Sequence, residues 1–179
     1  MTRSAVFLDR DGVINRAFVR DGTPYPPVAL QDLEILPHVP EALSALKAQG
    51  YSLVVVTNQP DVARGAASRE LVDSIHERLR GELGLDAIFT CFHDDADECN
   101  CRKPKPGLLF RAAHDLGIDL ASSFMVGDRW RDVEAGRRAG CRTLFVDCGY
   151  RESTSHPCDF RVGSLLEASA IILAESDSR

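Results

Sequence analysis

The chain has 179 residues, 44% of them hydrophobic and 27% charged, which is ordinary composition for one compact domain. A domain of this length buries roughly 70% of the surface its unfolded chain exposes, so it needs neither disulfides nor a partner to build a core, and disordered, collagen-like and coiled-coil readings are excluded. Its 21 Lys and Arg against 27 Asp and Glu leave a net charge of −6, too acidic for a protein whose main work is gripping nucleic acid or anionic lipid, though not for one that holds a small anion with a few local cations.

Ser4-Ala5-Val6-Phe7-Leu8 is a bulky apolar run that stops at Asp9-Arg10-Asp11-Gly12, the pattern of a buried strand delivering carboxylates to a loop. Residues 15–30 include Asp21-Gly22-Thr23-Pro24-Tyr25-Pro26-Pro27, too rich in turn formers for a regular helix, and read as an excursion from the strand edge. Helical spacing covers 40–47 with Gly50 to stop it, and a strand at 51–56 closes with Thr57-Asn58-Gln59-Pro60. Ser68 is placed to cap a helix running to about residue 83, with Leu71, Val72, Ile75 and Leu79 on one face. A third strand at 87–89 leads into a cluster of Cys and His. The spacing then predicts a helix at 106–116, a strand at 124–126 that runs into Gly127-Asp128, a helix at 131–139, a strand at 143–146 and a last helix at 164–173.

Strands alternating with helices predict an α/β fold, a Rossmann-like parallel sheet with helices on both faces. No internal repeat or long linker divides the chain, so 1–179 is expected to be a single domain. No run of 18 apolar residues and no export signal is present, which makes the reducing cytosol the expected compartment, and a monomer is expected there. The strands ending at Leu8, Val56 and Val126 are each followed at once by polar groups: Asp9 and Asp11, Thr57 and Asn58, and Asp128. Ligands of open α/β sheets bind beyond the carboxyl ends of the strands, so three distant segments are expected to form one site.

A lone D-x-D reads as an Asx-type turn or as the metal-binding pair of a nucleotide-sugar transferase. Asp128, Asp132, Lys103 and Thr57 tip the balance, because converging carboxylates resist ionisation unless a cation such as Mg²⁺ neutralises them. A metal with Lys103, Arg102 and a hydroxyl is the set a phosphoryl group requires. Separately, Cys91-x-His93-x₅-Cys99-x-Cys101 supplies three thiolates and one imidazole, a closed tetrahedral set for structural Zn²⁺; a strained Cys99–Cys101 disulfide or reactive thiols are the competing readings. Cys141, Cys148 and Cys158 are scattered among apolar and turn residues and read mostly as packing.

Phe7-Leu8-Asp9-Arg10-Asp11-Gly12-Val13, Val56-Thr57-Asn58-Gln59, Cys101-Arg102-Lys103-Pro104 and Val126-Gly127-Asp128-x-x-x-Asp132 stand in the order of four motifs, and over residues 5–147 the chain resembles the haloacid dehalogenase-like (HAD) phosphohydrolases. Within them, the zinc-type loop at about 91–103 joined to Arg-Lys-Pro looks like that of the D-glycero-D-manno-heptose 1,7-bisphosphate phosphatases and their histidinol-phosphate phosphatase relatives. The resemblance implies Asp9 as nucleophile, Asp11 as acid and base, and Mg²⁺ held by the Asp9 carboxylate, the Asp11 carbonyl and Asp128. It implies Thr57 and Lys103 as stabilisers of the transferring group, Asp132 as support behind Asp128 or Lys103, and Asn58, Gln59, Arg102 and Arg129 as substrate-binding residues. The expected reaction is Mg²⁺-dependent hydrolysis of a sugar bisphosphate. Histidinol phosphate or another small phosphomonoester is the alternative substrate, and a phosphosugar-binding module is the reading without catalysis.

Asn15-Arg16-Ala17-Phe18-Val19-Arg20 lacks the Asp-His-Gly-Tyr pattern of some heptose bisphosphate phosphatases, and Gln59 is followed by Pro60-Asp61 rather than the Ser-Gly often found there. Both departures bear on the substrate's non-reacting end, for which Arg16, Arg20 and Arg129 are candidate phosphate ligands. His76 and His114 are expected to be surface or packing residues, Trp130 to pack at a helix start or wall the site, and Arg137-Arg138 to be a solvated face. The length leaves no room for a separate cap domain, so substrate selection falls to the Pro-rich excursion and the zinc loop.

Overall fold

In the computed structural model, which describes residues 3–151 and 157–176, six parallel strands form one sheet in the order β5-β4-β1-β6-β7-β8. The strands are β1 (Ala5–Leu8), β4 (Ser52–Asn58), β5 (Ala87–Cys91), β6 (Phe124–Gly127), β7 (Arg142–Val146) and β8 (Phe160–Val162). A separate antiparallel hairpin joins β2 (Phe18–Arg20) to β3 (Thr23–Tyr25). The helices are α1 (Val39–Ala48), α2 (Arg69–Leu83), α3 (Gly107–Leu116), α4 (Trp130–Ala139) and α5 (Leu165–Ser176).

Alternation along the strands sorts side chains to the two faces. Val6, Leu8, Leu53, Val55 and Val126 pack with Leu43 and Leu46 of α1, Ile75 and Leu79 of α2 and Ile172 of α5. Ala5, Phe7, Val54, Val56 and Met125 pack on the other face with Leu108, Leu109 and Ala112 of α3 and Ala135 of α4. The predicted two-faced sheet is therefore present, with a core on each side. No helix among the described residues is long and apolar enough to cross a membrane.

Three local differences from the sequence reading matter for the site. Strand β4 runs on through Thr57 and Asn58, so both lie on the strand rather than in the turn after it. Strand β5 extends to Cys91, which pairs with Asn58 and accepts the Gln59 N–H at 2.7 Å, tying the cysteine cluster to the end of β4. The 15–30 excursion contains the β2–β3 hairpin, turned by Asp21 (φ 50°) and Gly22 (φ 76°), an Asp-Gly pair of the kind that favours tight hairpins.

Candidate active site

Leu8 pairs with Val55 on one side and Val126 on the other, so β1 delivers Asp9 between the ends of β4 and β6. The Asp9 N–H donates to the Val126 carbonyl at 2.9 Å. Lys103, 2% exposed, reaches in from the loop before α3. Its ammonium donates to Asp9 Oδ1 and the Val56 carbonyl, each at 2.8 Å, and pairs with Asp132 Oδ1 at 2.6 Å. All three donors are thus satisfied. Burial works against the Lys103 charge, but the Asp132 and Asp9 carboxylates outweigh it and hold the ammonium above its ordinary range.

Asp132 lies in the first turn of α4, where its Oδ2 accepts the Arg129 N–H at 3.0 Å. Of the two supports expected of it, Asp132 provides the one behind Lys103. A Cβ on Gly127 would fall 2.1 Å from Asp132 Cβ, so the approach of α4 to the strand end requires glycine there.

Asp128 is 2% exposed, and neither carboxylate oxygen completes a hydrogen bond. Burial and the Asp9 and Asp132 charges push its pKa well above the usual carboxylate range, while the Tyr150 phenol and Arg129 pull the other way. Burial and the Asp9 charge raise Asp132 to about 6 against the opposing pull of Lys103. Ligand oxygens of Asp9, Asp128 and Asp132 lie within 4.8 Å of one another. Orphaned buried carboxylate oxygens beside a second carboxylate fit a hard divalent cation such as Mg²⁺. Asp132 is already engaged through both oxygens, which leaves Asp9 and Asp128 as the available carboxylates.

The Asp11 side chain is not in this cluster. Asn15 Nδ2 donates to Oδ1 and Gln59 Nε2 to Oδ2, each at 2.9 Å, and Arg10 pairs with the carboxylate at 3.0 Å. Gly12, at φ 87°, turns the chain directly after Asp11; a Cβ there would lie 1.9 Å from Asp128 Oδ2. Thr57 accepts a hydrogen bond from Gln59 Nε2 at 3.0 Å, which leaves its own hydroxyl proton free to donate. Asn58 clamps the Lys103 peptide, accepting its N–H and donating to its carbonyl, both at 3.1 Å. Asn58 and Gln59 thus line the crevice with side chains committed to holding other residues.

Cys91, His93, Cys99 and Cys101 bring their ligand atoms within 4.8 Å of one another. Cys91 Sγ lies 3.7 Å from Cys99 Sγ and 3.0 Å from Cys101 Sγ, and His93 Nδ1 lies 3.2 Å from Cys101 Sγ. Ligands at zinc-thiolate bond length on a tetrahedron stand about 3.8 Å apart, so the set fits Zn²⁺. All six cysteines are free, and the 3.5 Å between Cys99 and Cys101 Sγ excludes the disulfide reading for that pair. Cys141 is buried in the core as expected, whereas Cys148 is exposed, with Sγ 3.6 Å from the Gly12 carbonyl.

The crevice, about 340 Å³, is lined by Asp9, Asp11 and Lys103 at its base and by Thr23, Pro24, Tyr25 and Pro26 of the hairpin at its mouth. Arg64, Arg102, Arg129 and Arg131 also line it. Arg102 and Arg131 share Asp95 Oδ1 at 2.8 and 3.1 Å, and Arg64 forks onto Asp94. Two expected phosphate ligands are elsewhere: Arg16 pairs with Glu34 at 2.8 Å, and Arg20 stacks on Tyr25, 5.6 Å from the ring centre. Sequence reasoning missed Arg64, Arg131 and Tyr150. Tyr150 stands four residues past the end of β7, so the strand-end rule that found Asp9 and Asp128 does not reach it. His114 is exposed beside Asp115, and Trp130 is not a lining residue.

A carboxylate held at a strand end by a buried ammonium, next to an oxygen set for a divalent cation and under a rim of arginines, suits a group that carries several negative charges at once. Fold and site together define the phosphoryl-transfer class of Rossmann-like hydrolases. Residues 16–140 match the haloacid dehalogenase-like hydrolase family, and the chain belongs to it. That match takes in Thr57, Lys103, Asp128 and Asp132 and begins after Asp9 and Asp11.

The chain is 38% identical over 156 residues to the D-glycero-beta-D-manno-heptose-1,7-bisphosphate 7-phosphatase of Pseudomonas aeruginosa, covering 83% of this chain and 84% of that one. It is 40% identical over 160 residues to the Vibrio cholerae protein of the same name, covering 82% of each. Among solved structures it is similar to D,D-heptose 1,7-bisphosphate phosphatase from B. bronchiseptica complexed with magnesium and phosphate, at a TM-score of 0.80 and 29% identity, covering 96% of this chain and 99% of that one.

Proposed function

We propose that the chain is a Mg²⁺-dependent phosphomonoesterase that removes the 7-phosphate of D-glycero-D-manno-heptose 1,7-bisphosphate through an aspartyl phosphate on Asp9. The observation that carries the chemistry is the buried Lys103 ammonium, bonded at once to Asp9 and Asp132. It fixes the Asp9 carboxylate in one orientation and leaves a positive charge where a phosphoryl oxygen would gain charge. The substrate assignment rests on the heptose bisphosphate phosphatases, to which the chain is about two-fifths identical over most of both lengths.

An Asp9 oxygen attacks phosphorus as the bond from phosphorus to the sugar oxygen breaks, and Asp11 gives that leaving oxygen its proton. Asp11 then takes a proton from the water that attacks the aspartyl phosphate, which restores Asp9 and releases inorganic phosphate. Thr57 donates its free hydroxyl proton to the transferring group, and Lys103 shields its charge. Asp9, Asp128 and the Asp11 carbonyl would hold Mg²⁺, which supplies charge neutralisation and polarises a phosphoryl oxygen when bound. Arg129 and Arg102, with Arg64 and Arg131, receive the second phosphate at the rim.

Cys91, His93, Cys99 and Cys101 would hold a structural Zn²⁺, which would fix the loop at about 91–103 that ends in Arg102 and Lys103. We take 1–179 as one catalytic unit, monomeric and cytoplasmic, in which hairpin and zinc loop select substrate in place of a cap domain. Phosphate release should be assayed with sugar bisphosphates, sugar monophosphates and histidinol phosphate, with and without Mg²⁺, for wild type and Asp9→Asn. Preference for the heptose bisphosphate, lost in Asp9→Asn and without Mg²⁺, is expected. Preference for histidinol phosphate would overturn the substrate, and no release from any ester would leave only a binding module.

A further inference from the structure

Arg10 stands between the two site aspartates in sequence, yet it is fully buried and points its guanidinium toward α2. Its backbone is fixed independently, because its carbonyl accepts the Ile14 N–H at 2.8 Å and the Asn15 N–H at 3.2 Å. The side chain divides its donors. Nε and Nη2 close on both oxygens of Asp11 at 3.0 to 3.3 Å, and Nη1 meets His76 Nε2 at 3.0 Å. His76 is a buried residue of α2 and does not line the crevice.

A guanidinium has donors only, so the ring nitrogen facing it must accept. This settles the tautomer of His76: the proton is on Nδ1, and Nε2 presents its lone pair to Arg10. We propose that His76 is a positioning residue for the hydrolytic half of the reaction, its Nε2 holding the Arg10 fork so that the fork keeps the Asp11 carboxylate oriented to take a proton from water. The proposal rests on the acid and base role assigned to Asp11 above.

The alternative is that His76 only fills space, and the two differ in what replaces it. Without an acceptor at Nε2, a buried Arg10 N–H is left unpaired, and the fork gains by turning from Asp11 toward another acceptor. Leucine fills the volume without accepting; glutamine places a carbonyl oxygen near the position of Nε2. The affected step is also specific, because attack of water on the aspartyl phosphate needs Asp11 as base, whereas departure of a reactive aryl oxide needs little help from an acid.

The experiment uses the Mg²⁺-loaded full chain with p-nitrophenyl phosphate, measuring kcat, KM and the acid-quenched phosphoenzyme fraction for wild type, His76→Leu, His76→Gln and Asp11→Asn. His76→Leu should lose about tenfold or more in kcat with no rise in KM and carry more phosphoenzyme, while His76→Gln stays within about threefold of wild type. Equal kcat for the Leu and Gln variants, or an unchanged phosphoenzyme fraction in His76→Leu, would overturn the proposal. Asp11→Asn separates the two levels: if it turned over normally without accumulating phosphoenzyme, the role of Asp11 itself would fall. Should His76→Leu not fold, ¹⁵N spectra of His76 in the wild type decide. A protonated Nδ1 and bare Nε2 at neutral pH are expected, and a proton on Nε2 would overturn the proposal.

Discussion

Lys103 Nζ and Asp132 Oδ1 lie 2.6 Å apart, each side chain 2% exposed, and this pair joins the loop before α3 to the first turn of α4 directly behind Asp9. Removing one member of a buried pair costs about 3 to 5 kcal/mol when it leaves the other charge without compensation. Asp132→Ala leaves Lys103 its pair with Asp9 at 2.8 Å, so it should lower unfolding free energy by less than that, by about 1 to 3 kcal/mol. It should also lower kcat by at least about tenfold, because Lys103 loses the contact that aims it. Denaturant unfolding together with steady-state kinetics checks both.

Gly12 and Gly127 hold open the space the carboxylates occupy. Alanine at Gly12 would place a methyl group 1.9 Å from Asp128 Oδ2 and demand positive φ from a residue that resists it. Gly12→Ala should weaken Mg²⁺ activation by about tenfold or more while the far sheet edge at β8 stays intact. A Mg²⁺ titration of activity and amide exchange at β8 make the comparison.

His76 gives acid unfolding a definite window. Burial first, and then the charge of Arg10, lower its pKa from 6.5 to about 4, with Asp11 and Asp73 opposing and Arg80 assisting. The folded state thus prefers the neutral ring. Its stabilisation is fully present above pH 6.5, where the ring is neutral in both states, and is lost as pH falls from 6.5 toward 4, where the unfolded chain takes up a proton first. Roughly 3 kcal/mol is at stake, at about 1.4 kcal/mol per pH unit. Unfolding free energy measured between pH 7.5 and 4 should fall less steeply in His76→Gln than in the wild type.

The cysteine cluster predicts one equivalent of zinc per chain by elemental analysis. Cys99→Ser should release the zinc and lower the melting temperature. It should also reduce kcat/KM more than about tenfold, because Cys101 stands next to Arg102 and Lys103 in the chain. Full activity in a zinc-free Cys99→Ser protein would remove the metal from the account.

The fold was legible because short continuous apolar runs and helices with glycine stops leave local signals: β1, β6 and α3 fall within a residue or two of where the sequence puts them. Asp9, Thr57 and Asp128 were legible for the same reason, each standing where an apolar strand gives way to polar residues. The arginine rim was not. Arg64 and Arg131 lie in separate segments, and only the folding of Asp94 and Asp95 between them brings them to one crevice. Arg16 and Arg20 looked equally suited in sequence, but Glu34 and the Tyr25 ring hold them outside. The His76–Arg10 contact spans 66 residues and leaves no local trace, so a histidine on an apolar helix face reads as packing until its partner is seen.

The central claim is covalent transfer to Asp9. Acid-quenched turnover of heptose bisphosphate labelled with ³²P at the 7-position, followed by peptide mapping, tests it most directly. A transient label on the Asp9 peptide, released by hydroxylamine and absent from Asp9→Asn, is the predicted result. Turnover at the wild-type rate with no label on that peptide at any quench time, or a label on another residue, would contradict it.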